Sequence, residues 1–349
     1  MTLADIVYAI RHAHDSHTPL RIRGAGSKDF YGGMLAGELL DVSGYQGIVA
    51  YEPTELYITA KCGTPLAEVE AALTEKNQML PFEPPRFADA TLGGCVAAGL
   101  SGPRRQQAGA VRDFVLGVKL IDGSGQVLDF GGQVMKNVAG YDVSRLLAGS
   151  LGTLGVLAEI TLKVLPQPVA EHTLVFDMNE GEAINRLNQW GGQPLPISAS
   201  FWHDGRLWLR LSGAQAAVAA ARGKLGGAVA VDPEKHWISV REQTHPAFSA
   251  PVLWRLALPS TAPSPGLDNL RAIEWGGALR WYAGDLEAVR GAAARAGGHA
   301  VLYRAPESLR LLEGAFAALS PALLALHRRL KKSFDPRGIL NPGRLYAEF

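Results

Sequence analysis

Forty glycines among 349 residues, gathered into short runs, constrain this chain more than any other feature. The runs are Gly24 to Gly33, Gly93 to Gly102, Gly123 to Gly132 and Gly149 to Gly155. An ordinary protein carries about 7% glycine, so the excess is real as well as clustered. Glycine is needed where backbone must turn with positive φ or lie close against something. Repeated between apolar segments, such loops suggest a ligand held largely by main chain.

The rest of the composition narrows the class. Lys+Arg number 34 against Asp+Glu 33, a net charge of +1, which gives no electrostatic case for nucleic-acid binding. Hydrophobic residues make up 47% and charged residues 19%, enough to bury a large core in two or three domains. Two cysteines, Cys62 and Cys95, exclude a disulfide framework and a cysteine-built zinc site. The start, MTLADIVYAIRHAHDSH, lacks the basic-then-apolar order of a secretory signal, and no apolar run reaches a membrane-spanning length. The expected location is cytoplasmic, or peripheral at the inner membrane through a partner.

Apolar spacing predicts a helix over residues 3–14 and a strand over 20–23 that feeds into Gly24-Ala25-Gly26. Further strands are expected at 39–42, 48–51, 56–60, 114–121, 126–130 and 155–165. Thr64-Pro65 reads as N-cap and first position of a helix to about 75, and Asp142 as the cap of a helix over 143–147. Pro166-Gln167-Pro168 marks a boundary. Beyond it the order strand 174–177, helix 182–190, strands 198–202 and 207–211, helix 214–225 and strand 228–231 is β-α-β-β-α-β, a ferredoxin-like unit. After a helix at 234–243 a similar order recurs: 252–258, a short element near 267–271, 272–275, 278–282, a helix at 285–296, and 299–303. Two such units could share one antiparallel sheet. Residues 306–319 read as a connector and 321–332 as a basic helix with Arg328, Arg329, Lys331 and Lys332 on a solvated face.

Gly24-Ala25-Gly26 fails the Rossmann pattern, because Asp29 stands where a third glycine is required, and no P-loop occurs. Several segments in order nonetheless carry a resemblance: Ile22 to Lys28, Ala90 to Ala98, Gly109 to Gly117 with Val111-Arg112-Asp113, Gly149 to Val156, and the tail Asp335-Pro336 … Asn341-Pro342-Gly343. Together they resemble the vanillyl-alcohol-oxidase/PCMH class of FAD-binding proteins. LPFEPP at 80–85, SGPRR at 101–105, VMKNVAGYD at 134–142 and WGGALRW at 275–281 are similar to the short FAD-binding subunit of bacterial glycolate oxidases.

The resemblance implies an α+β fold. A PCMH-type FAD-binding domain of two α/β subdomains would span 1–168. A ferredoxin-like antiparallel-sheet cap would follow over 169–305, and a C-terminal helix and tail over 306–349 would return to the FAD domain. It places non-covalent FAD against Arg23, Gly24, Ala25, Gly26, Ser27 and Lys28, which form the pyrophosphate loop. A second loop holds Thr91, Leu92, Gly93, Gly94, Ala97 and Ala98, and Gly152, Val156 and Asn341 complete the set. Physically, a Gly/Ser loop offers backbone N–H groups to an anion, Ser27 and Thr91 add hydroxyls, and Asn341 can donate to a carbonyl. Ser27 and Lys28 occupy the first loop where covalent attachment needs His or Cys, and Cys95 follows two glycines.

The catalytic residues stay open. Related hydroxy-acid dehydrogenases carry a HxGDGNxH metal cluster that this chain lacks. His12, His14 and His17 read as solvent-exposed, with no metal expected. His299, Arg104 and Arg105 are the candidates, the arginines for a substrate carboxylate. Lys136, Tyr141 and Asp142 form a further polar stretch.

The implied role is that of one subunit in a glycolate oxidase complex, beside a longer FAD-binding subunit and an iron–sulfur subunit. That complex would oxidise glycolate or D-lactate and pass electrons to quinone. A stand-alone flavin oxidase and a non-catalytic FAD-containing scaffold are the alternatives.

Overall fold

The computed structural model describes residues 1–132, 141–284 and 288–349. Lys136 and most of the stretch 134–142 lie outside the described residues, as do the first residues of the helix expected at 285–296.

The first helix, Leu3–Ser16, is fixed at its start by a capping box in which Thr2 Oγ1 accepts from Asp5 N and Asp5 returns the bond. Ile6, Ile10 and Ala13 fall on one face at helical spacing and are buried. The chain then enters Leu20–Arg23, which pairs in parallel with Glu38–Asp41 and touches the C-terminal tail through a Leu20–Leu340 bridge.

A five-stranded antiparallel sheet follows, in spatial order Ile48–Glu52, Tyr57–Lys61, Val156–Lys163, Val115–Ile121, Val127–Gly131. Its last hairpin is the expected one: Asp122 Oδ1 accepts from Ser124 N, Ser124 Oγ and Gln126 N, all within 2.9 Å. Helices Leu66–Thr74 and Leu92–Ala98 pack on the sheet, and Ile58, Leu66, Leu73, Phe82 and Leu120 are among its wholly buried core. The cap of the first of these helices differs from expectation. Pro65 is the N-cap, while Thr64 Oγ1 is drawn away to accept from Gly47 N at 2.9 Å. The short helix Val143–Leu146 does take Asp142 as its cap, and Tyr141 beside it is exposed.

After Leu165–Pro166 the chain builds an eight-stranded antiparallel sheet. One half runs Ala228–Val229, Ala170–Asp177, Arg206–Gly213, Ile197–His203; the other runs Leu270–Glu274, Leu279–Ala283, Leu253–Ala257, His299–Arg304. Each half has the strand order of one ferredoxin-like unit, and the halves meet where Phe201 and Trp202 pair with Glu274 and Ile273. The second unit has no helix between its first two strands. Pro259, Pro263 and Pro265 occupy that segment, and no separate element forms at 267–271 before the strand that starts at Leu270.

The expected connector at 306–319 contains a helix, Glu307–Glu313, and the basic helix runs Pro321–Phe334. Arg328, Arg329 and Lys332 are exposed as expected, but Lys331 is buried. Its ammonium donates to Asp335 Oδ2 at 2.7 Å and to the carbonyls of Thr153 and Leu340 at 2.8 Å. Burial lowers the Lys331 pKa against the pull of Asp335. This buried pair latches the tail onto the glycine loop at 149–155.

Among the described residues no helix is long and apolar enough to cross a membrane.

Candidate functional site

A cleft runs between Arg23–Asp29, the helix Leu92–Ala98, the loop 149–155 and Asn341. Its outer part is lined by Arg23, Gly24, Ala25, Gly26, Ser27, Lys28, Thr91, Gly94, Ala97 and Ala98. The inner part adds Gly93, Gly152 and Val156 with the apolar Ile22, Val42 and Leu157. Among the residues expected on the cofactor, Leu92 alone is elsewhere. Its side chain is wholly buried in the sheet core and its N–H donates to Thr64 O, because it is the first residue of a helix whose inner face packs on the sheet.

Local chemistry explains the shape. A Cβ on Gly24 would fall against Thr91 Oγ1, and a Cβ on Gly152, at φ +73°, would meet Asn341 Nδ2 at 2.6 Å. Thr91 caps the helix Leu92–Ala98 by accepting from Gly94 N, which leaves its hydroxyl proton to give. Among the described residues, the N–H groups of Ala25, Gly26 and Ser27 find no protein acceptor. Lys28 stands beside them, 9% exposed, with Nζ 5.4 Å from the Phe87 ring centroid and no ion-pair partner among the described residues. Burial lowers its pKa, opposed by Cys95 and Glu242. Free N–H groups and a buried ammonium without a counter-charge make an anion site.

The C-terminal tail organises this loop. Asn341 accepts from Ile22 N at 2.7 Å and donates to Leu151 O at 2.6 Å, so one amide ties both glycine loops together. Arg344 donates to the carbonyls of Gly33, Lys28 and Asp29, and Arg310 donates to those of Asp29, Phe30 and Gly32. Burial, with Arg310 nearby, takes Arg344 down to about 10 against the pull of Asp29. Five carbonyls of residues 28–33 are thereby pinned by two guanidiniums from the C-terminal segment. Sequence reading missed both arginines, since only the folded tail brings them to the loop.

A second, larger cavity of about 590 Å³ opens beyond Ala98, which borders both. Arg105, Arg112, Arg255, Trp275, Tyr31 and His299 line it. Arg105 lies 4.2 Å and Arg255 5.0 Å from the Trp275 ring centroid. His299 opens the strand His299–Arg304 at the cavity edge, and desolvation and then Arg255 lower its pKa.

Arg104, expected beside Arg105 as a carboxylate anchor, points the other way. It is 5% exposed, donates from N and Nε to Glu83 at 2.8 and 3.2 Å and from Nη2 to Glu171 at 2.7 Å. Arg210 joins the same acids, so this network fastens the eight-stranded sheet to the segment around Glu83 and Arg104.

The scattered histidines resolve in two ways. His12 and His17 are exposed as expected, whereas His14 is half-buried with Nδ1 2.9 Å from Gly123 O. His203, His236 and His245 cluster around Phe201, with His236 stacked on Trp208 at 3.8 Å. Burial, then the neighbouring His245, drives His236 down to about 3; burial, then His203, takes His245 to about 4. Both stay neutral in the fold while the unfolded chain protonates near 6.5. The stability these two neutral rings contribute is therefore present above pH 6.5 and is lost as pH falls from 6.5 to about 4 for His245 and about 3 for His236. Each pKa unit carries about 1.4 kcal/mol. Melting at pH 7 and 5 is expected to show the loss, and His236→Phe to reduce it; equal loss in both proteins would contradict the assignment.

Residues 1–131 match the family model described as FAD binding domain, and residues 316–345 that of FAD linked oxidases, C-terminal domain. The chain is 49% identical to glycolate oxidase subunit GlcE of Escherichia coli (strain K12) over 343 residues, covering 97% of this chain and 96% of that one. It belongs to the GlcE family of FAD-linked oxidase subunits. Similarity to glycolate oxidase subunit GlcD of Bacillus subtilis (strain 168) is 30% over 46% of this chain and 35% of that one. The fold is that of alkyldihydroxyacetonephosphate synthase, with a TM-score of 0.67 at 14% identity over 97% of this chain and 74% of that structure. The GlcE match also runs through the eight-stranded sheet, where neither family model reaches.

Proposed function

We propose that this chain is the FAD-holding small subunit of a glycolate-oxidising complex. Residues 1–168 form the cofactor unit, 169–305 the cap, and 306–349 a returning tail. The observation that carries this is the cleft, with three free N–H groups and unpaired Lys28 at its outer end and an apolar inner end at Ile22, Val42 and Val156. The first matches a pyrophosphate in charge, and the second matches one of the two ring systems of FAD in polarity. FAD bound there supplies a two-electron acceptor for a 2-hydroxy acid. The chain's own part is to bind the pyrophosphate through Gly24 to Lys28, to seat the ring against Gly93, Gly94, Ala97, Gly152 and Val156, and to hold both loops in register with Asn341. Attachment is non-covalent: Cys62 and Cys95 are buried and desolvation pushes both thiols up to about 12, too high for a nucleophile.

GlcE and GlcD are both named as glycolate oxidase subunits, so the chain would work beside a longer flavin subunit. An iron–sulfur partner would carry electrons towards quinone, with the complex in the cytoplasm or held at the inner membrane by a partner. Glycolate:dye activity of the complex purified with and without this chain tests the reading. Activity is expected to require the chain; full activity of the longer flavin subunit and its iron–sulfur partner alone would overturn it.

A further inference from the structure

The second cavity gathers guanidinium charge that no carboxylate among the described residues pairs with directly. Arg105, Arg112 and Arg255 all line it, and none forms an ion pair among the described residues, where ion pairs occupy many of the other arginines. Two of the three come from opposite sides of a seam. Arg105 begins the helix Arg105–Ala108, which follows the cleft helix, and Arg255 lies on the cap strand Leu253–Ala257. With guanidinium carbons 4.2 and 5.0 Å from one indole centroid, they stand at most 9.2 Å apart (4.2 + 5.0).

The electrostatics point the same way. After burial, Arg255 and then Arg112 are what lower the Arg105 pKa, with Asp113 opposing. Asp113 is already engaged by Ala110 N at 2.8 Å. On the other side, Glu274 attracts Arg255 without an ion pair. Its carboxyl accepts from Trp281 Nε1 at 2.7 Å, and burial raises it to about 7. Two like charges held near one indole across a seam repel each other, and a bound anion would relieve that repulsion. The ligand that matches two planar guanidiniums is a carboxylate, which each can grip through paired N–H groups. Tyr31 and His299, which line the same cavity, add polar groups for an oxygen beside that carboxylate.

We propose that Arg105 and Arg255 form a split carboxylate site across the seam between the flavin-binding unit and the cap. It takes small 2-hydroxy and 2-oxo acids. The class of ligand rests on the FAD-linked hydroxy-acid reading above; the anion site itself rests on the unpaired charges.

The probe is oxalate, a redox-inert carboxylate, titrated calorimetrically into the full chain with and without FAD. One saturable site is expected in both forms, together with a rise in melting temperature. Arg255→Gln and Arg105→Gln are each expected to weaken binding by at least about tenfold, the effect of losing a charged hydrogen-bond pair. Arg105→Gln is also expected to melt no lower than wild type without ligand, whereas a merely structural arginine would lower it. Arg328→Gln, on the exposed helix, serves as the control for unspecific anion binding.

No saturable site in the wild type would overturn the proposal, as would unchanged affinity in both cavity variants or equal loss in Arg328→Gln. The flavin absorbance of the same samples separates the two claims. A chain that holds flavin but no oxalate fails this inference alone. One that binds oxalate but never flavin supports the anion site and fails the function it was attached to.

Discussion

A Gly24→Val chain is expected to purify folded but with less than about a tenth of the wild-type flavin, a loss worth at least ~1.4 kcal/mol of binding. The Gly24 Cα faces Thr91, and its first added carbon already collides with Thr91 Oγ1 and crowds Cγ2. Thr91 cannot retreat freely, because its hydroxyl caps the helix Leu92–Ala98. The added side chain therefore turns into the cleft, where Gly24 lines both the outer and the inner part. Far-ultraviolet circular dichroism should stay unchanged, since neither large sheet includes this loop. Flavin at wild-type stoichiometry in the variant would show that the cleft is not the cofactor site.

The second large effect is expected from Lys331→Met. Asp335, 1% exposed, answers Lys331 and also accepts from Ile339 N and Leu340 N at 3.1 and 2.7 Å. Removing the ammonium leaves a buried carboxylate without its counter-charge and two carbonyls without a donor. Breaking such a pair costs about 3–5 kcal/mol, and chemical denaturation should read it directly. Lys331→Met with Asp335→Asn should cost less than the two single losses added, because one interaction is removed only once. The variant should also bind flavin more weakly, since the latch sets the position of Leu340 and Asn341. A loss below about 1 kcal/mol would mean the pair is not what holds the tail.

How much of this was legible in the sequence depends on how far each feature reaches along the chain. The glycine loops are local signals, and Arg23 to Lys28, Thr91, Gly93, Gly94 and Gly152 do line one cleft. The duplicated ferredoxin-like order was legible from alternation and turns, which are also local. Neighbouring residues with opposite fates were not. Arg104 and Arg105 share a loop and a residue type, yet Glu83 and Glu171 from distant segments claim the first and leave the second in the cavity. Thr64 looked like a cap but Gly47 takes its hydroxyl. Lys331 looked solvated among basic neighbours until the tail folded back to supply Asp335 and two carbonyls. Arg255, Arg310 and Arg344 carry no local pattern at all; their roles exist only once the cap and tail have docked.

The most direct test of the central claim is the flavin content of the purified chain, read by absorbance before and after acid precipitation. One FAD per chain is expected, recovered entirely in the supernatant. A chain that shows no flavin band even after reconstitution with FAD would contradict the account, and flavin that stays with the precipitate would contradict its non-covalent cleft.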